Sequence, residues 1–171
     1  MHSYIALLRA VNVGGTGKLP MSELKAMCER AGFAHVRTYI ASGNVVFHSA
    51  EPAAQVKAVL EQALHGYAGK PVGVMLRTAA EMAAVLAANP FPDGAPNRTM
   101  AIFLDHAPAP AGDALDTVSG LKHEQLALGV RELFVHYGDG IGESKLKIPA
   151  AKDGTARNMN TVAKLVEMVS A

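Results

Sequence analysis

The chain of 171 residues is one unit or two small subdomains on the usual scale of about 150 residues per domain, which excludes a large multidomain enzyme. Hydrophobic residues make up 50% and charged residues 18%, so the chain can bury a core and is not intrinsically disordered. Sixteen Lys and Arg against fifteen Asp and Glu leave a net charge of +1, far from the basic balance of a dedicated DNA or RNA binder.

Tyr4–Leu8 is an apolar run stopped by Arg9, too short for a signal peptide or a membrane span, and it reads as a strand. Gly14, Gly15 and Gly17 make the next segment a loop, because glycine tolerates conformations that break regular elements. After Pro20, the residues Met21, Leu24, Met27, Cys28 and Ala31 recur at helical spacing up to Gly32, predicting an amphipathic helix with a glycine stop. Residues 36–40 and 45–47 are β-branched and aromatic around Ala41-Ser42-Gly43-Asn44, the pattern of a hairpin. A second helix follows Pro52, with Val56, Val59, Leu60, Ala63 and Leu64 on one face and Gly66 as its expected end, and residues 72–76 read as a strand. The order strand, helix, strand, strand, helix, strand over residues 1–78 is the split βαβ, ferredoxin-like arrangement.

Residues 79–171 read as a smaller mixed α/β half packed against the first, giving an α+β chain. Thr78-Ala79-Ala80-Glu81 is a capping box, opening a helix that Asn89-Pro90 halts. Residues 99–104 form a strand, residues 113–118 a short helix, and residues 124–130 and 132–137 a strand pair turning at Gly129–Arg131. A final helix carries Val162, Leu165, Val166 and Val169 on one face, with Asn158 or Asn160 as its N-cap.

The chemistry-bearing motifs mostly fail their tests. Residues 12–19 suggest a phosphate loop, but Asn12 stands where the Walker pattern needs its first glycine and Leu19 where it needs a hydroxyl. The dinucleotide fingerprint fails because Pro20 replaces its third glycine. Seven histidines are scattered, and His123-Glu124 lacks the second histidine of a zincin helix at Ala127. No metal or cofactor is expected. The hairpin lacks the basic-Gly-aromatic pattern of RNA-recognition sheets, so Phe47 reads as core. The single cysteine, Cys28, lies on the apolar face of the first helix and reads as a buried, inert thiol. With no disulfide framework and no membrane segment, the expected location is the cytoplasm.

Four separated segments carry a family resemblance: residues 4–15 (YIALLRAVNVGG), 38–47 (TYIASGNVVF), 142–146 (GESKL) and 155–162 (TARNMNTV). On these the chain resembles the bacterial family catalogued as domain of unknown function 1697. The resemblance implies an α+β, ferredoxin-like fold and brings no established activity, cofactor or catalytic residue. Glu143 stands where the family usually carries a basic residue, and Met159 replaces a usual tryptophan.

Charge is unevenly distributed. Residues 1–78 hold eight Lys and Arg against four Asp and Glu, residues 79–143 three against nine, and residues 144–171 five against two. Basic signatures therefore bracket an acidic middle. The candidate ligand-binding residues are Arg9, Asn12, Gly14, Gly15, Lys18, Ser42, Asn44, Lys145, Arg157 and Asn160, polar or glycine positions in or beside loops, where function concentrates. Two readings stand. In the first, these residues line a cleft between the halves of a small binding protein for a phosphate- or carboxylate-bearing molecule, or an RNA end; an enzyme acting on such a ligand is compatible with it. In the second, they cap turns and helices in a non-enzymatic interaction or homodimerisation module.

Overall fold

The apolar run at the start of the chain becomes an inner strand. The computed structural model describes residues 1–9, 18–106, 118–138, 146–151 and 153–170. Strand β1 (His2–Leu8) pairs antiparallel with β3 (Asn44–Ser49) on one side and β4 (Val74–Thr78) on the other, while β2 (Ala34–Tyr39) completes the order β2-β3-β1-β4. With α1 (Met21–Arg30) and α2 (Ala53–Ala68) between strands, this is the ferredoxin-like arrangement read from the sequence. The chain divides into two units, Met1–Met82 with Leu165–Ala171, and Ala83–Lys164.

Strand alternation explains the core of the first unit. Tyr4, Ala6 and Leu8 share a face with Val45, Phe47, Val74 and Leu76, and onto it pack Leu24, Met27 and Cys28 of α1 and Val56, Leu60 and Leu64 of α2. Phe33 stacks on Phe47 with ring centroids 4.4 Å apart. The other face of the sheet is also buried, through Ile5, Leu7, Val46, Met75 and Arg77. Such two-sided burial accounts for the unbroken apolar run of β1.

Glycines set the helix ends, and one of them differs from the sequence expectation. Gly32 adopts φ +90°; its N–H donates to the carbonyl of Glu29 at 3.0 Å, and that of Phe33 to Cys28 at 3.1 Å. These are the two bonds of a Schellman cap, which requires the left-handed residue. Gly66 does not end α2: the helix runs on to Ala68, and Gly69 at φ +72° caps it, its N–H donating to the carbonyl of His65.

The second unit holds a four-stranded antiparallel sheet in the order β6-β7-β5-β8, from β5 (Thr99–Phe103), β6 (Gln125–Leu128), β7 (Glu132–His136) and β8 (Thr155–Asn158). Ile102, Leu104, Leu133 and Val135 form its core on one face, and Ala101, Phe103 and Phe134 are buried on the other. The capping box before α3 (Ala79–Ala87) is formed: Thr78 N–H donates to Oε1 of Glu81 at 2.9 Å, and Glu81 N–H to Oγ1 of Thr78 at 3.1 Å. Helix α4 (Met159–Ser170) is capped by Asn158, whose Oδ1 accepts from Thr161 N–H at 2.9 Å. The expected helix at residues 113–118 lies almost wholly outside the described residues. No described helix is long and apolar enough to cross a membrane.

The two helical glycines make opposite predictions. A Cβ at Gly32 or Gly66 would meet nothing within 4 Å, so only backbone conformation decides. Gly32→Ala should cost about 1 kcal/mol or more because its φ is positive, whereas Gly66→Ala should stabilise by roughly 0.5–1 kcal/mol. Urea unfolding of both variants, read as opposite midpoint shifts, checks this.

Candidate functional site

Three chain segments meet at one end of the first sheet. The N–H of Leu8 donates to the carbonyl of Gly43 at 2.9 Å, and the N–H of Arg9 to that of Gly73 at 2.9 Å. The end of β1, the β2–β3 turn and the entry to β4 are thereby joined. Arg9 is exposed, and its aliphatic stem lies over Gly73, where an added Cβ would come within 3.5 Å of the Arg9 Cβ and 3.6 Å of its Cδ. The stem is thus packed although the residue as a whole is exposed.

The turn itself is built by Asn44. This residue is 0% exposed, and its Nδ2 donates to the carbonyl of Tyr39 at 2.9 Å and to Oγ of Ser42 at 3.0 Å. The backbone in between needs that support, since Ile40 sits at φ +48°, where a β-branched side chain is strained. Gly43 follows at φ +88°. Ser42 is half-buried beside Asn44, and Lys18 is exposed just before α1, next to Leu19, which joins the core. Among the candidates of the first unit, Arg9, Ser42 and Asn44 are therefore gathered around one sheet end.

Two candidates belong to the second unit. Arg157 on β8 is buried; its Nη1 donates to Oγ1 of Thr155 at 2.7 Å and to the carbonyl of Ala156 at 2.9 Å. Burial pulls its guanidinium down to about 10, so it stays charged at neutral pH and depends on these acceptors. Asn160 is exposed in the first turn of α4, where Asn158 and not Asn160 serves as the cap. Asn12, Gly14, Gly15 and Lys145 lie outside the described residues.

A family model described as a protein of unknown function, DUF1697, matches residues 1–134. The chain belongs to this family. The match takes in the signature segments at residues 4–15 and 38–47 and stops before those at 142–146 and 155–162. The chain is also similar to a solved structure of the conserved bacterial protein SP0830 from Streptococcus pneumoniae, at 26% identity over 98% of each chain with a TM-score of 0.80. No curated protein matches it. The family supplies a fold and no chemistry, so function rests on the residues themselves.

Sequence reasoning missed one buried ion of the first unit. Arg77 on β4 is 2% exposed, its Nη1 donating to the carbonyl of Leu76 at 2.9 Å. Its only signal was its place in the alternation of β4, two residues after Met75 on the buried face away from the helices. Among the described residues, no three His, Cys, Asp or Glu side chains group as metal ligands.

Cys28 is buried, as its position in the apolar stripe predicts. It is fully buried, and burial, with the Glu29 carboxylate adding to it, pushes the thiol from an ordinary 9.0 up to about 12. A raised acid pKa contributes stability that is complete below pH 9 and is lost as pH climbs toward 12. Wild-type stability should therefore fall more steeply between about pH 8.5 and pH 10.5 than that of Cys28→Ala. Urea midpoints at the two pH values check this, and equal slopes contradict it.

Proposed function

We propose that this protein binds a small phosphate- or carboxylate-bearing molecule at the end of its first sheet, with Arg9 as the anchoring cation and Ser42 as a hydroxyl donor. The observation that carries the reading is the pair of hydrogen bonds from Leu8 to Gly43 and from Arg9 to Gly73, which brings an exposed arginine beside a rigid serine-bearing turn. An arginine whose stem is packed has already lost part of its rotamer freedom, so less entropy remains to be lost when its planar fork closes on an anion. Asn44 is a positioning residue here, since its amide is engaged in shaping the turn. Lys18 adds a second positive charge to the segment that follows β1. The net positive charge of residues 1–78 favours anions at this end of the chain.

A second reading has its own observation. Arg157 is buried and bonded to its own strand, and Asn158 caps α4. Those signature residues support a structural role, as in an interaction or dimerisation module.

A thermal-shift series with inorganic phosphate, citrate and a 5′-phosphorylated oligoribonucleotide, run at several protein concentrations, separates the readings. The anion reading predicts a saturable rise with phosphate or citrate, about 2.7 kcal/mol at a hundred times the dissociation constant, that Arg9→Gln abolishes. A rise with the RNA alone reassigns the site to nucleic acid. A melting temperature that depends on protein concentration and ignores every anion supports the module instead.

A further inference from the structure

His136 sits in a row of three side chains across the second sheet. The register places it opposite Thr99 of β5 on one side and Gln125 of β6 on the other, so all three project from one face. The single hydroxyl hydrogen of Thr99 goes to the carbonyl of Ala95 at 3.1 Å, a group that can only accept. The same Thr99 oxygen lies 2.9 Å from Nδ1 of His136. That contact then takes its hydrogen from the imidazole, which places a proton on Nδ1 and, in the neutral ring, leaves the lone pair on Nε2.

The loop facing this histidine is stiff. Pro90 and Pro92 fix two of its φ angles. The N–H of Phe91 donates to Oδ1 of Asn89 at 2.9 Å, and the N–H of Gly94 closes a turn onto the carbonyl of Phe91 at 3.0 Å. A side chain at Gly94 would displace His136, because a Cβ would stand 2.6 Å from Cε1 and 2.7 Å from Nδ1 of its ring. The ring of Phe91 lies 6.0 Å from the imidazole, centroid to centroid. A hydrogen bond, a bare backbone and an aromatic ring therefore fix the orientation of His136.

Between this loop, Gln125 and His136 lies a cavity of about 390 Å³, within the range of small-molecule sites. Its wall is apolar at Pro90, Phe91 and Pro92, and it carries one carboxylate, Asp93, with no lysine or arginine. Among the described residues, neither the Asp93 carboxylate nor Nε2 of His136 has a partner. The polar groups thus offer acceptors in a carboxylate and the neutral ring's imidazole lone pair, beside the Gln125 amide, which can accept or donate.

We propose that this cavity is a binding site for a small aromatic cation of the amidinium class. Its N–H groups donate to Asp93 and to Nε2 of His136, and its flat body lies along Phe91 and the two prolines, where a cation also gains from the ring face. An anion is rejected by Asp93, which separates this site in charge from the one proposed on the first unit.

Benzamidine is the probe, titrated into the full chain and followed through the amide and histidine-ring resonances at about pH 8. The expected result is a saturable shift of Asp93, Gln125 and His136, with His136 in the Nδ1–H tautomer. Asp93→Asn, an exposed position that the fold does not depend on, should weaken binding at least tenfold, and Arg9→Gln should leave it unchanged. Benzoate, of the same shape and opposite charge, should not bind there. No saturable shift, equal binding by Asp93→Asn, equal binding of benzoate, or an Nε2–H tautomer each overturns the proposal.

Discussion

A single carboxamide without solvent contact organises the end of the first sheet. Asn44 bonds the carbonyl of Tyr39 and the hydroxyl of Ser42, and so holds a turn in which Ile40 and Gly43 both adopt positive φ. Leaving a buried amide such as this one unsatisfied costs about 1–3 kcal/mol, enough to make this turn conformation depend on one side chain. The consequences run outward: the fixed turn aims the Gly43 carbonyl at Leu8, the last residue of β1, and the next residue, Arg9, bonds Gly73. The placement of Arg9 is thus inherited from an asparagine that touches no solvent.

Arginines show how one residue type serves opposite ends. Arg9 follows its strand, exposed with its stem packed; Arg157 lies within a strand, buried and bonded to Thr155 and Ala156. The difference is one of sheet geometry. On β8, Arg157 stands opposite Ala101 of β5, and cross-strand partners share a face, so a small neighbour leaves space for a long side chain. A buried guanidinium needs acceptors wherever it points, and the strand supplies them itself. The polar signature near the C-terminus is thereby accounted for in part by structure alone.

The elements with strong local signals were legible in the sequence. The apolar stripe of α1, its Gly32 cap, the hairpin around residues 41–44 and the Thr78–Glu81 capping box each carry their own chemistry, and the structure forms all of them. Gly66 misled because an isolated glycine in a helix is tolerated when other packing carries the helix on; of Gly66 and Gly69, it is Gly69 that adopts the left-handed conformation. Strand β8 was invisible: Thr155-Ala156-Arg157-Asn158 has no apolar alternation, and it is a strand because β5 offers an edge to it. The His136 cavity was equally hidden, since its residues come from two strands and a proline loop that only the register brings together. Charge and loop position pointed to Arg9 and Ser42, but burial of Asn44 and Arg157 depends on contacts remote in sequence.

The central claim is that the end of the first sheet is a prepared anion site, and amide chemical-shift mapping with pyrophosphate tests it most directly. The account predicts that the amides of Arg9, Ser42, Gly43 and Gly73 shift together along one saturation curve. Shifts scattered over exposed lysines, or no change at these four amides while pyrophosphate binds elsewhere, would contradict it.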